Sequence, residues 1–223
     1  MSEKYIPQSD QASAGTIEEA GFYHETALNA TWTGSRLAIG GLAFLFGAFL
    51  FSYFYLRSLN SGGRWMGSGY HPPNVIMGTF IMMLVLTSSA VHYAGLQQIK
   101  AGRKRVWQVL GLVALALGLT AVTLQILELL YLPFYPGSSG FSSVFVGFYP
   151  VFTVILLAGL LWLEMLLARS RSISAIAFVE QPPTYQEAFA LQRFQANLSA
   201  FNLIWAFLAL MAVLFWVLFY VIP

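Results

Sequence analysis

The polar side chains best suited to chemistry lie near the end of a long apolar run, residues 106–132. Gln125 and Glu128 interrupt this run, and a carboxyl group can hold a proton or join helices by hydrogen bonds. In steps of three and four residues back from Gln125, the same helix face carries Ala121 and Gly118. Small residues let another helix approach closely, whereas a carboxylate at the centre of a bilayer costs on the order of 3 kcal/mol. We therefore expect this stripe to face protein rather than lipid.

A second polar group lies near the end of the preceding apolar run, residues 75–96. Ser88 and Ser89 can donate hydrogen bonds to carbonyls of their own helix. His92 has the chemistry of a haem ligand or a proton carrier. Haem-copper chemistry needs several membrane histidines, however, and His92 is the only histidine inside a predicted span. We therefore predict that His92 forms an interfacial hydrogen bond.

Three further residues stand out in the later apolar runs. Glu164 comes about one turn before Arg169 and Arg171, which predicts an interfacial ion pair or a carboxylate that extends towards the membrane surface. Asn202 and Trp205 lie in the last run, where aromatic residues usually pack or anchor the helix at an interface. We interpret all of these as helix-packing, partner or lipid contacts.

No pattern in the sequence predicts a catalytic, cofactor-binding or metal-binding residue. We find no metal-ligand cluster, nucleophile triad, phosphate-binding loop or paired carboxylates at mid-membrane. The two membrane carboxyl groups, Glu128 and Glu164, are each predicted within a few turns of opposite surfaces, which disfavours a proton or ion pump. No internal repeat or matched pair of broken helices indicates a secondary transporter.

The composition indicates an integral membrane protein. The chain has 223 residues, of which 58% are hydrophobic and 9% charged, whereas a soluble domain carries about 25% charged residues. The absence of cysteine excludes disulfides, iron-sulfur clusters, thiolate zinc sites and a thiolate-bridged dinuclear copper centre. A net charge of +2 gives no indication of nucleic-acid binding.

The apolar runs predict an all-α, polytopic membrane protein with five transmembrane helices in a bundle. Residues 1–34 are polar and form an N-terminal tail without the pattern of a cleavable signal peptide. Residues 35–223 form the membrane domain. Its predicted spans are residues 37–56, 75–96, 106–132, 143–167 and 198–222.

The longest predicted connection, residues 168–197, contains a helix signal of its own. Pro182-Pro183 precedes Thr184 and Glu187, a spacing typical of a capping box at a helix start. We predict a helix over residues 184–195 that runs close to, or directly into, the fifth span.

The basic residues predict the orientation. Five spans place the chain ends on opposite sides, and nine of the eleven Lys and Arg residues fall on the side of the N-terminal tail. These nine are Lys4, Arg36, Lys100, Arg103, Lys104, Arg105, Arg169, Arg171 and Arg193. Because positive charge is retained in the cytoplasm, we expect a cytoplasmic N-terminus and an external C-terminus.

In the order and spacing of its motifs, the chain resembles subunit III of the haem-copper oxidases, the cytochrome c and quinol oxidase family. The resemblance covers about residues 36–222. The matching positions are Ser88-Ser89, Gly102-Arg103-Lys104, Gly118, Gln125, Glu128, Gly147-Phe148, Asn202 and Trp205.

Several polar residues of that family are replaced here. The acidic residue of the first of these five helices would fall near Ala43, and two histidines of the fourth helix are replaced by Tyr149 and Phe152. Ser199 stands for the closing histidine, and Asn202 for an aspartate. The chain resembles the five-helix form, which lacks two N-terminal helices of the seven-helix form.

The resemblance implies an accessory, non-catalytic and cofactor-free subunit of the cytoplasmic (inner) membrane, taking part in aerobic electron transport. It would contact oxidase subunit I, which holds the haem and copper, and other oxidase subunits, bind phospholipid and support proton uptake. Two alternatives remain open. One is the similar small membrane subunit of nitric oxide reductase, and the other is a small transporter or channel.

Overall fold

Five long helices make up the computed structural model of the chain. It describes the backbone of residues 8–60, 62–63, 65–67, 71–173 and 185–223, and side chains from residue 25 in the first helix and residue 188 in the last. The helices are α1 (Gln8–Ser58), α2 (Val75–Lys100), α3 (Lys104–Leu130), α4 (Gly140–Ser172) and α5 (Tyr185–Trp216), followed by a π-helical turn, Val217–Val221. All five are long and apolar enough to cross a membrane, and the described ranges contain no strand.

The helices form a ring of contacts. α2 and α3 pack most extensively, α3 continues to α4, α4 to α1, α1 to α5, and α5 back to α2. α4 and α5 also meet across this ring. α5 therefore contacts three of the other helices and brings distant parts of the sequence together.

Local sequence explains where the helices begin. The Asn74 side chain accepts a hydrogen bond from the Met77 amide at 3.1 Å, which caps α2. Ser139 and Ser142 form a reciprocal capping box at the start of α4. Between α2 and α3, Gly102 has φ of 77°, a conformation that glycine adopts without steric cost. This turn makes α2 and α3 an antiparallel pair.

Two helices extend far beyond the spans expected from the apolar runs. α1 begins at Gln8, whereas the predicted span begins at residue 37, so all of the polar segment 8–34 is helical. At 51 residues, α1 is about 77 Å long, more than twice the thickness of a bilayer core of about 30 Å. α5 runs without a break from Tyr185, which confirms that a helix continues into the fifth span. The proposed capping box of Thr184 and Glu187 lies outside the described residues.

Aromatic side chains from α1, α4 and α5 fill the interior. Phe148 stacks on Phe215 with ring centroids 3.7 Å apart, and Phe46 contacts both rings at about 6 Å. Offset and edge-to-face aromatic contacts of this kind contribute beyond area burial. This aromatic interior fixes the relative positions of the helices that carry the polar residues.

Candidate functional site

Two clusters of buried polar residues link helices inside the bundle, and the first joins α2, α3 and α5. Ser88 is fully buried and donates a hydrogen bond to the Ala114 carbonyl of α3 at 2.8 Å. The Trp205 indole of α5 donates to the Ser88 hydroxyl at 3.3 Å. We call these residues the serine-tryptophan cluster. The Ser88 hydroxyl thus bonds to a neighbouring helix, and not to its own as the sequence suggested.

Two glycines make room for the Trp205 ring. A Cβ atom at Gly159 of α4 would lie 2.6 Å from the Trp205 ring, and one at Gly118 of α3 would lie 2.4 Å from the Leu160 side chain and 3.5 Å from Trp205. Both glycines therefore permit approaches that a side chain would block. This confirms that the small-residue stripe on α3 faces protein.

The second cluster joins α3, α4 and the π-helical turn. The Tyr149 hydroxyl lies 2.6 Å from Oε2 of Glu128, and the Tyr220 hydroxyl lies 2.7 Å from Oε1. The two hydroxyls also form a hydrogen bond with each other. Glu128 is 3% exposed. We call these three residues the carboxyl-tyrosine cluster.

Neighbouring side chains hold both tyrosine rings in place. Phe145 stacks on Tyr149 with centroids 4.4 Å apart. A Cβ atom at Gly78 of α2 would lie 2.3 Å from the Tyr220 ring, so only glycine fits there. The geometry of the carboxyl-tyrosine cluster is therefore set by packing as well as by hydrogen bonds.

A narrow cleft of about 30 Å³ opens beside this cluster. Gln125, Tyr149 and Tyr220 contribute to its lining. Gln125 is 1% exposed, and its Oε1 atom has no hydrogen-bond partner among the described residues. A cleft of this size can hold a water molecule that donates to Gln125.

The other sequence-predicted residues are not brought into these clusters. His92 is 0% exposed and packs edge-on against Phe201 with centroids 4.8 Å apart. Neither ring nitrogen has a hydrogen-bond partner among the described residues. The predicted interfacial hydrogen bond of His92 is therefore wrong, because the face of α2 that carries Ser88 and His92 points into the bundle.

Ser89 and Asn202 are half-buried beside this interior face. Glu164 is exposed on α4, and it forms no ion pair with Arg169 or Arg171 or with any other described residue. Of the two expectations for Glu164, the ion pair with Arg169 or Arg171 is therefore not formed among the described residues. Instead, Glu164 lies beside Leu161 and Met165, which are 61% and 55% exposed.

Sequence reasoning missed the partners of Glu128. From the sequence, Tyr149 stands out only as a replacement for a histidine of the resembled family, and Tyr220 does not stand out. The available signal was that a tyrosine hydroxyl in an apolar helix needs a hydrogen-bond partner, as does a buried carboxyl group. Spacing alone could not join them, because Tyr220 follows Glu128 by 92 residues.

A third polar contact ties the first helix to the end of the last. The Tyr53 hydroxyl donates to the Leu218 carbonyl at 3.0 Å, and Arg57 donates to the Ile222 carbonyl at 2.9 Å. These carbonyls lie in or next to the π-helical turn, which also carries Tyr220. The contact therefore helps to position Tyr220.

These clusters can join helices by hydrogen bonds, and the carboxyl group of Glu128 can hold a proton. Among the residues described, no group of three or more His, Cys, Asp or Glu side chains could hold a metal ion. The sequence matches no protein-family model and no curated protein.

Proposed function

We propose that this chain is an accessory subunit of a respiratory haem-copper terminal oxidase, resembling subunit III, and that it stabilises the catalytic subunit. One observation carries the proposal. Ser88, Gly118, Gln125, Glu128 and Trp205, which carry much of the resemblance, are all buried inside one bundle. The hydrogen bonds of Ser88, Glu128 and Trp205 run between helices, as expected of a scaffold.

The outward surface supports a role as one subunit of a larger assembly. α1 has the least buried span of the five, with only 11% of its most apolar window buried. Phe44 and Phe51 are 83% and 69% exposed on it, an apolar surface available to a partner or to lipid. The exposed side chain of Glu164 favours a protein partner over lipid, because a carboxylate facing lipid is costly unless a cation or water reaches it.

In this proposal the N-terminus is cytoplasmic, since nine of eleven basic residues then lie inside. The chain lies in the cytoplasmic membrane with haem and copper in the neighbouring catalytic subunit I. It binds phospholipid and supports proton uptake by keeping subunit I assembled. Electron transfer and oxygen reduction take place in that partner.

The test is to isolate the affinity-tagged chain from its native membrane in a gentle detergent and to record reduced-minus-oxidised optical spectra. The proposal predicts stoichiometric haem with oxygen-reducing activity. Haem with nitric oxide reduction in place of oxygen reduction would assign the chain to a nitric oxide reductase. A haem-free particle that catalyses solute flux after reconstitution would make it a transporter or channel.

A variant at the surface sharpens this test. Glu164→Leu removes the exposed carboxyl group and leaves both interior clusters intact. We expect less haem to co-purify per chain while oxygen turnover per haem stays unchanged. Thr123→Leu is the matched control, because Thr123 is exposed and its hydroxyl bonds only to the Leu119 carbonyl of its own helix.

A further inference from the structure

The carboxyl-tyrosine cluster contains one more hydrogen bond than its tyrosines can supply. Three oxygen-oxygen contacts join Glu128 Oε2 to Tyr149, Tyr149 to Tyr220, and Tyr220 to Glu128 Oε1. Each contact needs a hydrogen atom between its two oxygens. Each tyrosine hydroxyl has one, so the two tyrosines can supply only two of the three.

The missing hydrogen atom can come only from the carboxyl group. An ionised carboxylate accepts hydrogen bonds but donates none. Were both tyrosines to donate to it, their oxygens would face each other with lone pairs alone. We propose that Glu128, Tyr149 and Tyr220 form a closed ring of three hydrogen bonds that binds one proton, with Glu128 as a neutral carboxylic acid.

All three hydrogen bonds of this ring can run in one direction, and each contact then contains one hydrogen atom. Glu128 donates from Oε2 to Tyr149, Tyr149 donates to Tyr220, and Tyr220 donates back to Oε1. The opposite direction is equally complete and places the proton on Oε1. In the reversal each hydrogen atom crosses its own contact, from one oxygen to the other. No net charge is transferred, so the ring stores a proton but does not conduct one.

The surroundings of the ring favour the neutral acid. Glu128 is 3% exposed and forms no ion pair with a described Lys, Arg or His. Its hydrogen-bond partners come from α4 and the π-helical turn, and both are tyrosine hydroxyls. The nearby carboxamide of Gln125 is neutral. A buried charge without a counter-ion is unfavourable, whereas a fully hydrogen-bonded neutral group is not.

Infrared spectroscopy tests the proposal on the full-length chain, purified at neutral pH with its glutamates labelled with ¹³C. We expect the wild-type spectrum to contain the C=O stretching band of a neutral carboxylic acid, and Glu128→Gln to lose it. Glu164→Gln, which changes an exposed carboxyl group, should retain the band. A wild-type-minus-Glu128→Gln difference containing only carboxylate bands would overturn the proposal.

Two tyrosine variants test the ring itself and keep the proposal falsifiable if Glu128→Gln does not fold. Tyr149→Phe and Tyr220→Phe each remove one partner of the acid, so the C=O band should move to a higher frequency. An acid band that neither variant shifts would contradict the ring. This inference does not rest on the oxidase proposal, since the readout needs only the isolated chain.

Discussion

The serine-tryptophan cluster and the carboxyl-tyrosine cluster solve the same packing problem with different chemistry. In both, an aromatic side chain near the end of the sequence presses against a glycine, Trp205 against Gly159 and Tyr220 against Gly78. The serine-tryptophan cluster uses only neutral donors and a backbone carbonyl. The carboxyl-tyrosine cluster includes an ionisable group, which two tyrosines surround.

The comparison shows that close packing can fix a helix interface whichever polar groups occupy it. If that is correct, filling the glycine spaces should be more damaging than removing hydrogen bonds in either cluster. Interhelical hydrogen bonds in membranes contribute about 0.6 kcal/mol on average, with a maximum of about 1.7 kcal/mol. Overpacking typically costs about 1–3 kcal/mol and sometimes more.

The largest effect is expected for Gly118→Leu in the serine-tryptophan cluster. Its side chain would occupy the space of Leu160 and reach Trp205, and we expect destabilisation of at least about 3 kcal/mol. Detergent-induced unfolding followed by tryptophan fluorescence measures it. Gly41→Leu is the control, because a Cβ atom there has no neighbour within 4 Å. Equal loss in both variants would refute the role assigned to the Gly118 contact.

Gly78→Ala is the corresponding change in the carboxyl-tyrosine cluster. Its methyl group would displace the Tyr220 ring, which two hydrogen bonds hold in place, and we expect a loss of about 2–3 kcal/mol. Gly147→Ala is the matched control, since its Cβ atom would meet Phe49 at 3.6 Å, an ordinary contact distance. The same unfolding assay applies, and a Gly78→Ala variant as stable as the control would break the comparison.

Glu128→Ala should cost less than either glycine replacement. It removes both contacts to the tyrosines but lets their hydroxyls bond to each other, so we expect a loss of about 1–2 kcal/mol. In the oxidase complex proposed above, less haem should co-purify while turnover per haem stays unchanged. Glu128→Gln, which can still donate and accept, should be close to wild type. Intact assembly with lost turnover per haem would show that Glu128 acts in the reaction.

Ser88→Ala should have the smallest effect, about 1 kcal/mol, because it removes the bond to the Ala114 carbonyl and the acceptor of the Trp205 indole. Ser52→Ala is the control, since the Ser52 hydroxyl bonds only to the Ala48 carbonyl of its own helix. Unfolding of the two variants side by side measures the difference. A loss of stability as large as that of Gly118→Leu would contradict the order that packing predicts.

The sequence was sufficient to predict the five helices and the buried face of α3, because apolar length and small-residue spacing are local signals. It did not predict how far α1 extends through polar residues, since helix length there is independent of hydropathy. It also did not predict that His92 is buried with no hydrogen-bond partner among the described residues, because that depends on how α2 is rotated about its axis relative to α5. Tyr220 was missed as a partner of Glu128 for the same reason, since long-range contacts leave no periodic pattern.

The order of its residues in the chain means that the carboxyl-tyrosine cluster can form only late in synthesis. Tyr149 follows Glu128 by 21 residues, but Tyr220 follows only after 92. A ribosome adding ~5–20 residues per second needs on the order of ten seconds to cover that interval. Until Tyr220 has been added, Glu128 can have at most one of its two tyrosine partners. Arrival of the last helix completes the cluster, so a nascent chain that ends before Tyr220 lacks the bond to Oε1 of Glu128.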